Sequence, residues 1–434
     1  MPSRRLFLRS SAVAAGTTLL SSAIARASAN QPPQNQAPPV PAPIAALQSR
    51  RSQALPISSE ERAARLERAQ QLMASSHLDA IFLTEGISLN YFTGIRWWGG
   101  ERLFAAILPA KGRAFFVCPA FEEGRAQEQI AASPLAGSAD IRVWQEDESP
   151  YTLVAGGLKE RGLATGTVGI EETVPYVFSD GITNAAAQAK FVSATPVTAG
   201  CRMIKSGHEL DLMRLANQVT LAAYEAVYRS LREGMTQDDV ATLVETAHSR
   251  LGFSGGALVE VGEFSAFPHG STQPQMIREG VPVLIDGGCR VEGYESDITR
   301  MMILGKPSEK MKQVFAIVHH AQSAALAAAR PGVEAGSVDA AARKVITDAG
   351  YGPGYKYFTH RLGHGIGMDG HEWPYLVRNN PTKLQANMTF SDEPGIYLRG
   401  EFGVRLEDIM HITENGAELL TPQSLSFEQP FAAS

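Results

Sequence analysis

Cysteine is nearly absent from this chain of 434 residues: Cys118, Cys201 and Cys289 are the only three. Three thiols allow at most one intramolecular disulfide and leave one over, which excludes a disulfide scaffold. Cys289 stands near Asp286 in sequence, but a soft thiolate does not suit a hard oxygen-donor site, and it reads as buried filler. Charge of one sign is also lacking. The net charge is −6, with none of the basic excess that a nucleic-acid partner demands. There is no glycine-rich nucleotide fingerprint, no direct internal repeat, and no apolar run long and clean enough for a stable membrane span. What is there is an ordinary globular composition, 44% hydrophobic and 19% charged. The length suits two domains with substantial cores.

The first 29 residues stand apart from the rest. Ser3-Arg-Arg-Leu-Phe-Leu8 is a twin-arginine pattern, followed by a modest apolar stretch from Ala12 to Ala25 and a small-residue cleavage site at Ala27-Ser-Ala29. This is the pattern of a Tat export signal, and it predicts a periplasmic or secreted protein. The segment carries Arg4, Arg5, Arg9 and Arg26 and no acids, so its removal takes the net charge from −6 to −10. Residues 30–56 are rich in Pro, Gln and Ala and predict a disordered linker.

Residues 57–200 alternate strand-like and helix-like segments, an α/β pattern. Ser58-Ser-Glu-Glu61 predicts a capping box that opens a helix. Ala80–Leu83, Phe104–Leu108, Ala114–Cys118 and Val168–Ile170 predict strands. Residues 201–425 read differently: two helices, a hairpin, two more helices and another hairpin, an α+β arrangement in two similar halves. Residues 426–434 are set apart as a C-terminal tail.

Five metal-ligand side chains lie in this second part, each in an unusual local sequence. They are Asp286 (V-L-I-D-G-G), Asp297 (E-S-D-I-T-R), His364 (L-G-H-G-I-G), Glu393 (S-D-E-P-G-I-Y) and Glu407 (V-R-L-E-D). Four carboxylates cannot be buried together as bare ions, because each desolvated charge costs several kcal/mol. Two divalent cations would balance them, and the donor set suits Mn²⁺ foremost, with Co²⁺, Fe²⁺ or Zn²⁺ as alternatives. An antiparallel hairpin through Gly287, Gly288 and Gly293 can set Asp286 beside Asp297. Glu393 and Glu407 flank a second glycine-containing turn. His360 and His364 have helical spacing, but Gly363, Gly365 and Gly367 favour a tight loop or strand.

These motifs resemble those of the pita-bread metallopeptidase family, which includes methionine aminopeptidase, prolidase and Xaa-Pro aminopeptidase; creatinase shares the fold without the metals. The resemblance spans roughly residues 60–425. It implies that Asp286 binds one metal, that His364 and Glu393 bind the other, and that Asp297 and Glu407 bridge them. It also implies site roles for His269, His360 and His371, and for Arg405. The region before residue 200 resembles the amino-terminal domain of the creatinase and prolidase branch, which methionine aminopeptidases lack. The implied reaction is hydrolysis of an Xaa-Pro bond by metal-activated water, with Glu393 moving the proton and His269 and His371 holding the scissile amide. The implied partner is a peptide with proline at its second position, and the implied assembly is a homodimer or higher homo-oligomer. Trp97, Trp98, Tyr357, Trp373 and Tyr375 are candidate aromatic walls, and Arg378 a candidate for a substrate carboxylate. The remaining histidines, His77, His208, His248, His319, His320 and His411, read as structural. Alternatives remain on the same fold: a metal-dependent hydrolase or lyase of a small amide or osmolyte-like molecule, or an inactive binding module.

Overall fold

The uninterrupted apolar runs of the first domain become strands that are buried on both faces. Ala80–Leu83, Ala105–Pro109 and Phe115–Pro119 are buried throughout. Their side chains alternate between two cores. Ala80, Phe82, Ile107, Phe115 and Val117 enter one, and Ile81, Leu83, Leu108, Phe116 and Cys118 the other. These strands lie inside a mixed six-stranded sheet in the order Asp140–Trp144, Phe115–Pro119, Ala105–Pro109, Ala80–Leu83, Thr167–Ile170, Lys190–Ser193. This computed structural model describes residues 39–431, so the expected export signal lies outside the described residues. None of the described helices is long and apolar enough to cross a membrane.

Helix starts follow local chemistry. Ser58, Ser206 and Thr236 each form a full capping box, with Glu61, Glu209 and Asp239 returning the bond. Each box satisfies backbone donors that the first helical turn cannot. Ser58 opens Ser59–Ser75, which lays Ala69 and Met73 into the core. Arg65, on the same helix, donates to the Tyr294 hydroxyl at 2.7 Å and pairs with Glu209 at 3.2 Å. All three residues are buried, so the two domains meet through a desolvated polar link inside one continuous apolar cluster.

The second part is built twice over from a helix pair and an antiparallel sheet. Gly207–Tyr228 and Gln237–Leu251 accompany the strands Ser254–Val261, Pro282–Val291 and Ile298–Ile303. Glu309–Ala328 and Ala335–Asp348 accompany a five-stranded sheet, ordered Glu372–Leu376, Gly363–Gly365, Thr389–Asp392, Asp408–Ile412, Ala417–Leu419. A separate hairpin pairs Gly395–Leu398 with Phe402–Arg405.

Two expectations are corrected. The linker does not stay disordered to residue 56. Ala42–Ala45 is a helical turn with Ile44 fully buried. The Arg50 amide donates to the Leu251 carbonyl at 2.9 Å, and Arg51 Nη1 to the Gly252 carbonyl at 3.2 Å. One buried isoleucine and a few backbone anchors fasten a segment whose composition alone reads as polar. The C-terminal tail also packs: Phe427 is buried, with its ring 5.2 Å from that of Phe315.

If the 41–56 segment is structural, Ile44→Ala should cost about 2–5 kcal/mol, the usual range for emptying a buried isoleucine site. Urea unfolding measures this. An unchanged midpoint would mean that the segment is a loose tether.

Candidate metal centre

Strand pairing places the carboxylates. Asp286 lies within Pro282–Val291, and Asp297 immediately precedes Ile298–Ile303. The two strands are antiparallel, but the residue directly across from Asp286 is Thr299, not Asp297. Asp297 sits two residues earlier, on the same face. Glu393 and Glu407 occupy the gap where one ladder gives way to another: Asp392 opposes Asp408 on one side, and Gly395 opposes Arg405 on the other. His364 is the centre of the short strand Gly363–Gly365. That strand must have glycine, since a Cβ on Gly363 would lie 1.9 Å from the Ser391 carbonyl oxygen.

All nine predicted site residues line one cleft of about 450 Å³: His269, Asp286, Asp297, His360, His364, His371, Glu393, Arg405 and Glu407. One ligand atom from each of Asp297, His364 and Glu407 lies within 4.8 Å of the others. His364 Nε2 is 3.3 Å from Glu393 Oε1 and 3.9 Å from Asp297 Oδ2. Its Nδ1 is 3.1 Å from the Gly365 carbonyl oxygen. That contact keeps a proton on Nδ1 and leaves Nε2 facing the cleft, where it donates to Glu393 in the absence of a metal and would offer its lone pair to a bound ion.

The surrounding side chains orient these groups. Arg405 Nη2 is 2.5 Å from Asp286 Oδ2, and its Nη1 donates to the Tyr397 hydroxyl at 3.0 Å. Tyr397 lies 2.7 Å from His360 Nε2, while His360 Nδ1 lies 2.8 Å from the Arg361 carbonyl oxygen. The second contact places the His360 proton on Nδ1, so the tyrosine donates to Nε2. Thr299 Oγ1 is 2.7 Å from both Asp286 Oδ1 and Glu407 Oε2. Arg300, fully buried, pairs with Asp408 at 2.6 Å and donates to the Glu407 carbonyl at 2.8 Å. The backbone of Glu407 is thereby fixed.

The electrostatics fit cations. Burial and repulsion from Asp286 push Asp297 up to about 8. Burial, Asp297 and Glu393 push Glu407 well above the carboxylate range. Burial works against ionised Glu393 too, but the hydrogen bond with His364 and the charges of His364 and Arg405 hold it at about 2. The Tyr224 hydroxyl, fully buried against Asp286, Asp297 and Glu407, has no hydrogen-bond partner among the described residues. Too many acids for the available donors is the signature of a site completed by metal ions.

Several residues here were missed from sequence: Thr299, Ser391, Tyr397 and Tyr224. Thr299 and Ser391 were within reach, since each lies two residues from a ligand candidate on the same strand face. Ser391 Oγ donates to Glu393 Oε1 at 3.1 Å and accepts from the His364 amide at 3.0 Å. Tyr224 comes from a helix far upstream and had no local signal. Other candidates are not brought to the cleft. Arg378 lines a different cavity, beside Arg343 and Asp339. Trp97 stacks on Phe104 with ring centroids 3.8 Å apart, and Trp98 is 79% exposed. Trp373 and Tyr375 line a neighbouring cavity of about 160 Å³, which His371 shares. Cys289 is buried apart from the cleft, with its thiol 3.4 Å from the Ala216 carbonyl oxygen. The only three cysteines are all free thiols.

An acid held above its unfolded value supports the fold only while protonated. The contribution of Asp297 is thus full below about pH 4 and lost as pH climbs through its folded value. The melting temperature of the metal-free protein should fall between about pH 5 and pH 9, and saturating Mn²⁺ should remove most of that slope. Thermal scans of chelated and reloaded protein check this. A flat profile without metal would contradict the charge account.

Comparison with known proteins agrees with this geometry. Residues 211–414 match the model of metallopeptidase family M24, and residues 65–204 that of the creatinase/prolidase N-terminal domain. The chain is 37% identical over 367 residues to a probable dipeptidase PepE of Mycobacterium bovis, covering 83% of this chain and 94% of that one. It is 33% identical over 362 residues to an Xaa-Pro dipeptidase of Lactobacillus delbrueckii, covering 80% and 94%. The crystal structure of dipeptidase PepE from Mycobacterium ulcerans superposes with a TM-score of 0.80 at 34% identity, over 86% of this chain and 99% of that one. The chain belongs to metallopeptidase family M24, as a pita-bread metallo-exopeptidase of the creatinase/prolidase branch.

Proposed function

We propose that this protein is a dinuclear metallopeptidase that hydrolyses the Xaa-Pro bond, either at the N-terminus of peptides or in Xaa-Pro dipeptides. The observation that carries this reading is the convergence of Asp286, Asp297, His364, Glu393 and Glu407 on one cleft, with His269 and His371 at its margin. The names of the relatives support the same substrate class. Asp286, Asp297, His364, Glu393 and Glu407 are the residues that would hold two divalent ions, manganese foremost. Bound there, such ions supply Lewis-acid activation of water and of the scissile carbonyl.

The rest is the work of this chain's own side chains. Glu393 is ionised in its present surroundings. It is placed to take the proton of the attacking water and pass it to the departing prolyl nitrogen. His269 and His371 are exposed on the cleft and can donate to the scissile carbonyl as negative charge gathers on it. Arg405, Tyr397 and His360 form a hydrogen-bonded line that fixes Asp286 at one end and the His360 ring at the other. A prolyl amide offers no N–H, so recognition must fall on its carbonyl and its ring.

Two further elements belong to this reading. Export through the Tat route is supported by the Arg4-Arg5 pattern. Replacing both with lysine should hold the precursor in the cytoplasm; normal export of that variant, read by fractionation, would refute it. Homo-oligomerisation is supported by Trp98 and Phe121, exposed at 79% and 67%.

Turnover and metal content test the reaction together. The manganese-loaded protein should cleave Xaa-Pro substrates. Asp297→Ala should lose both ions, and His364→Ala mainly one. His371→Ala should keep both ions and lose about 10²–10³ in kcat, the usual cost of one catalytic donor. Two tightly held metals in Asp297→Ala would sink the bridging assignment. Wild-type turnover in His371→Ala would return that histidine to a structural role.

A further inference from the structure

A fifth carboxylate lies on the Asp286 face of its sheet and has no part in the scheme above. On the strand Ser254–Val261, Leu258 stands across from Asp286, and Glu260 follows two residues later on the same face. Glu260 is 1% exposed. Both of its oxygens are taken up by the loop that carries His269: Oε1 accepts the Ser271 amide at 2.8 Å, and Oε2 accepts Gln275 Nε2 at 2.9 Å. Gln275, also buried, accepts the Val261 amide through its Oε1 at 2.5 Å. A backbone N–H can only donate, so the Val261 contact settles which end of the Gln275 amide faces Glu260.

His269 lines the cleft and is exposed there, and among the described residues no hydrogen bond holds its ring. Its place is set by the turn beneath it, which is fastened at three points. Ser265 Oγ accepts the Gly403 amide at 2.8 Å. Arg405 Nη1 donates to the Pro268 carbonyl at 3.1 Å. Glu260 fixes the chain just after the histidine, at Ser271. Gly270 between them has φ +92°, and a Cβ there would lie 2.9 Å from Glu260 Oε1. The carboxylate is therefore seated directly against the turn.

We propose that Glu260 is the positioning residue for His269: its carboxylate, oriented by Gln275, pins the His269–Ser271 turn so that the imidazole meets the scissile carbonyl. The inference rests on the Xaa-Pro reading above and adds to it a residue outside the metal set that acts through the histidine. Glu260→Gln keeps the side chain's size and turns one acceptor into a donor. With its oxygen on the Ser271 amide, the new NH2 faces the NH2 of Gln275, and two donors meet. The Glu260→Gln/Gln275→Glu swap restores every bond. The amide at 260 then donates to the carboxylate at 275, which still accepts the Val261 amide, and the Ser271 amide still finds an oxygen.

The test compares manganese-loaded wild type, Glu260→Gln and the swap. One arm needs no turnover: hydrogen exchange at the Ser271 amide should be slow in wild type, about tenfold or more faster in Glu260→Gln, and slow again in the swap. On an Xaa-Pro dipeptide, Glu260→Gln should lose about 10–100-fold in kcat with KM and metal content near wild type, the scale expected when a catalytic group is displaced by about 1 Å. The swap should recover most of that loss. In a His269→Ala background, Glu260→Gln should cause no further loss, because both changes act through one imidazole. Thermal unfolding checks that each variant is folded, and the swap decides the matter if Glu260→Gln is not: it should match wild type in exchange and in kcat, and a swap that stays impaired would overturn the proposal. Unchanged exchange in Glu260→Gln, lost metal, or a full further loss on top of His269→Ala would overturn the positioning role and leave the Xaa-Pro reading standing. No turnover of any Xaa-Pro substrate, with the exchange pattern as stated, would sink the reaction and keep Glu260 as the residue that places His269. No turnover and unchanged exchange would sink both.

Discussion

Mutual repulsion among four carboxylates crowded into one cleft is the constraint around which the second half of the chain is arranged. Asp297 is driven towards the protonated form by burial and the charge of Asp286, and Glu407 by burial and the charges of Asp297 and Glu393. A fold that brings such groups together must hold them by force elsewhere. It does so with backbone ladders: Asp286 is locked by the pairing with Ile298–Ile303, and Glu393 and Glu407 by the two ladders that meet between them. Strand register positions a side chain to a fraction of an ångström, and a one-residue slip would turn each carboxylate to the opposite face.

Around that framework sits a shell of donors with little freedom. Arg405 bridges Asp286 and Tyr397, and Arg300 pins the Glu407 backbone through the fully buried Asp408 pair. Removing one member of such a buried pair leaves an uncompensated charge and costs about 3–5 kcal/mol. The shell therefore serves stability and geometry at once. The amino-terminal domain is tied to the same body by Arg65, Tyr294 and Glu209. At the join between the domains, Arg202 and Lys205 hold the buried Glu372 next to His371. Movement at the domain join would be felt at the cleft margin.

Much of this was legible in the sequence because ligand sites need rare residue combinations. Carboxylates beside glycines on strand edges, and a histidine between glycines, have few other uses in such numbers. The three capping boxes show how helix starts follow local chemistry: Ser58 announces one through Glu61, and Ser206 and Thr236 repeat the device with Glu209 and Asp239. What failed to show was anything that depends on partners distant in sequence. Ser254–Val261 opens with Ser-Gly-Gly and resembles a loop, yet it pairs along its whole length with Pro282–Val291. Lys190–Ser193 is a polar sheet edge with little apolar signal. Ile44 is one of few large apolar residues in a stretch rich in Pro, Gln and Ala, and only the core it enters reveals its role. Arg378 and Arg361 are alike as letters; the fold alone sends one to a separate cavity and the other to the cleft.

The most direct measurement of the central claim is anomalous diffraction from crystals of the manganese-loaded protein. The account predicts two anomalous peaks per chain inside the cleft. Both should lie within ligand distance of Asp297 and Glu407, with Asp286 on one and His364 and Glu393 on the other. A cleft with no peak, or with a single ion that leaves Asp297 or Glu407 without a metal contact, would contradict it.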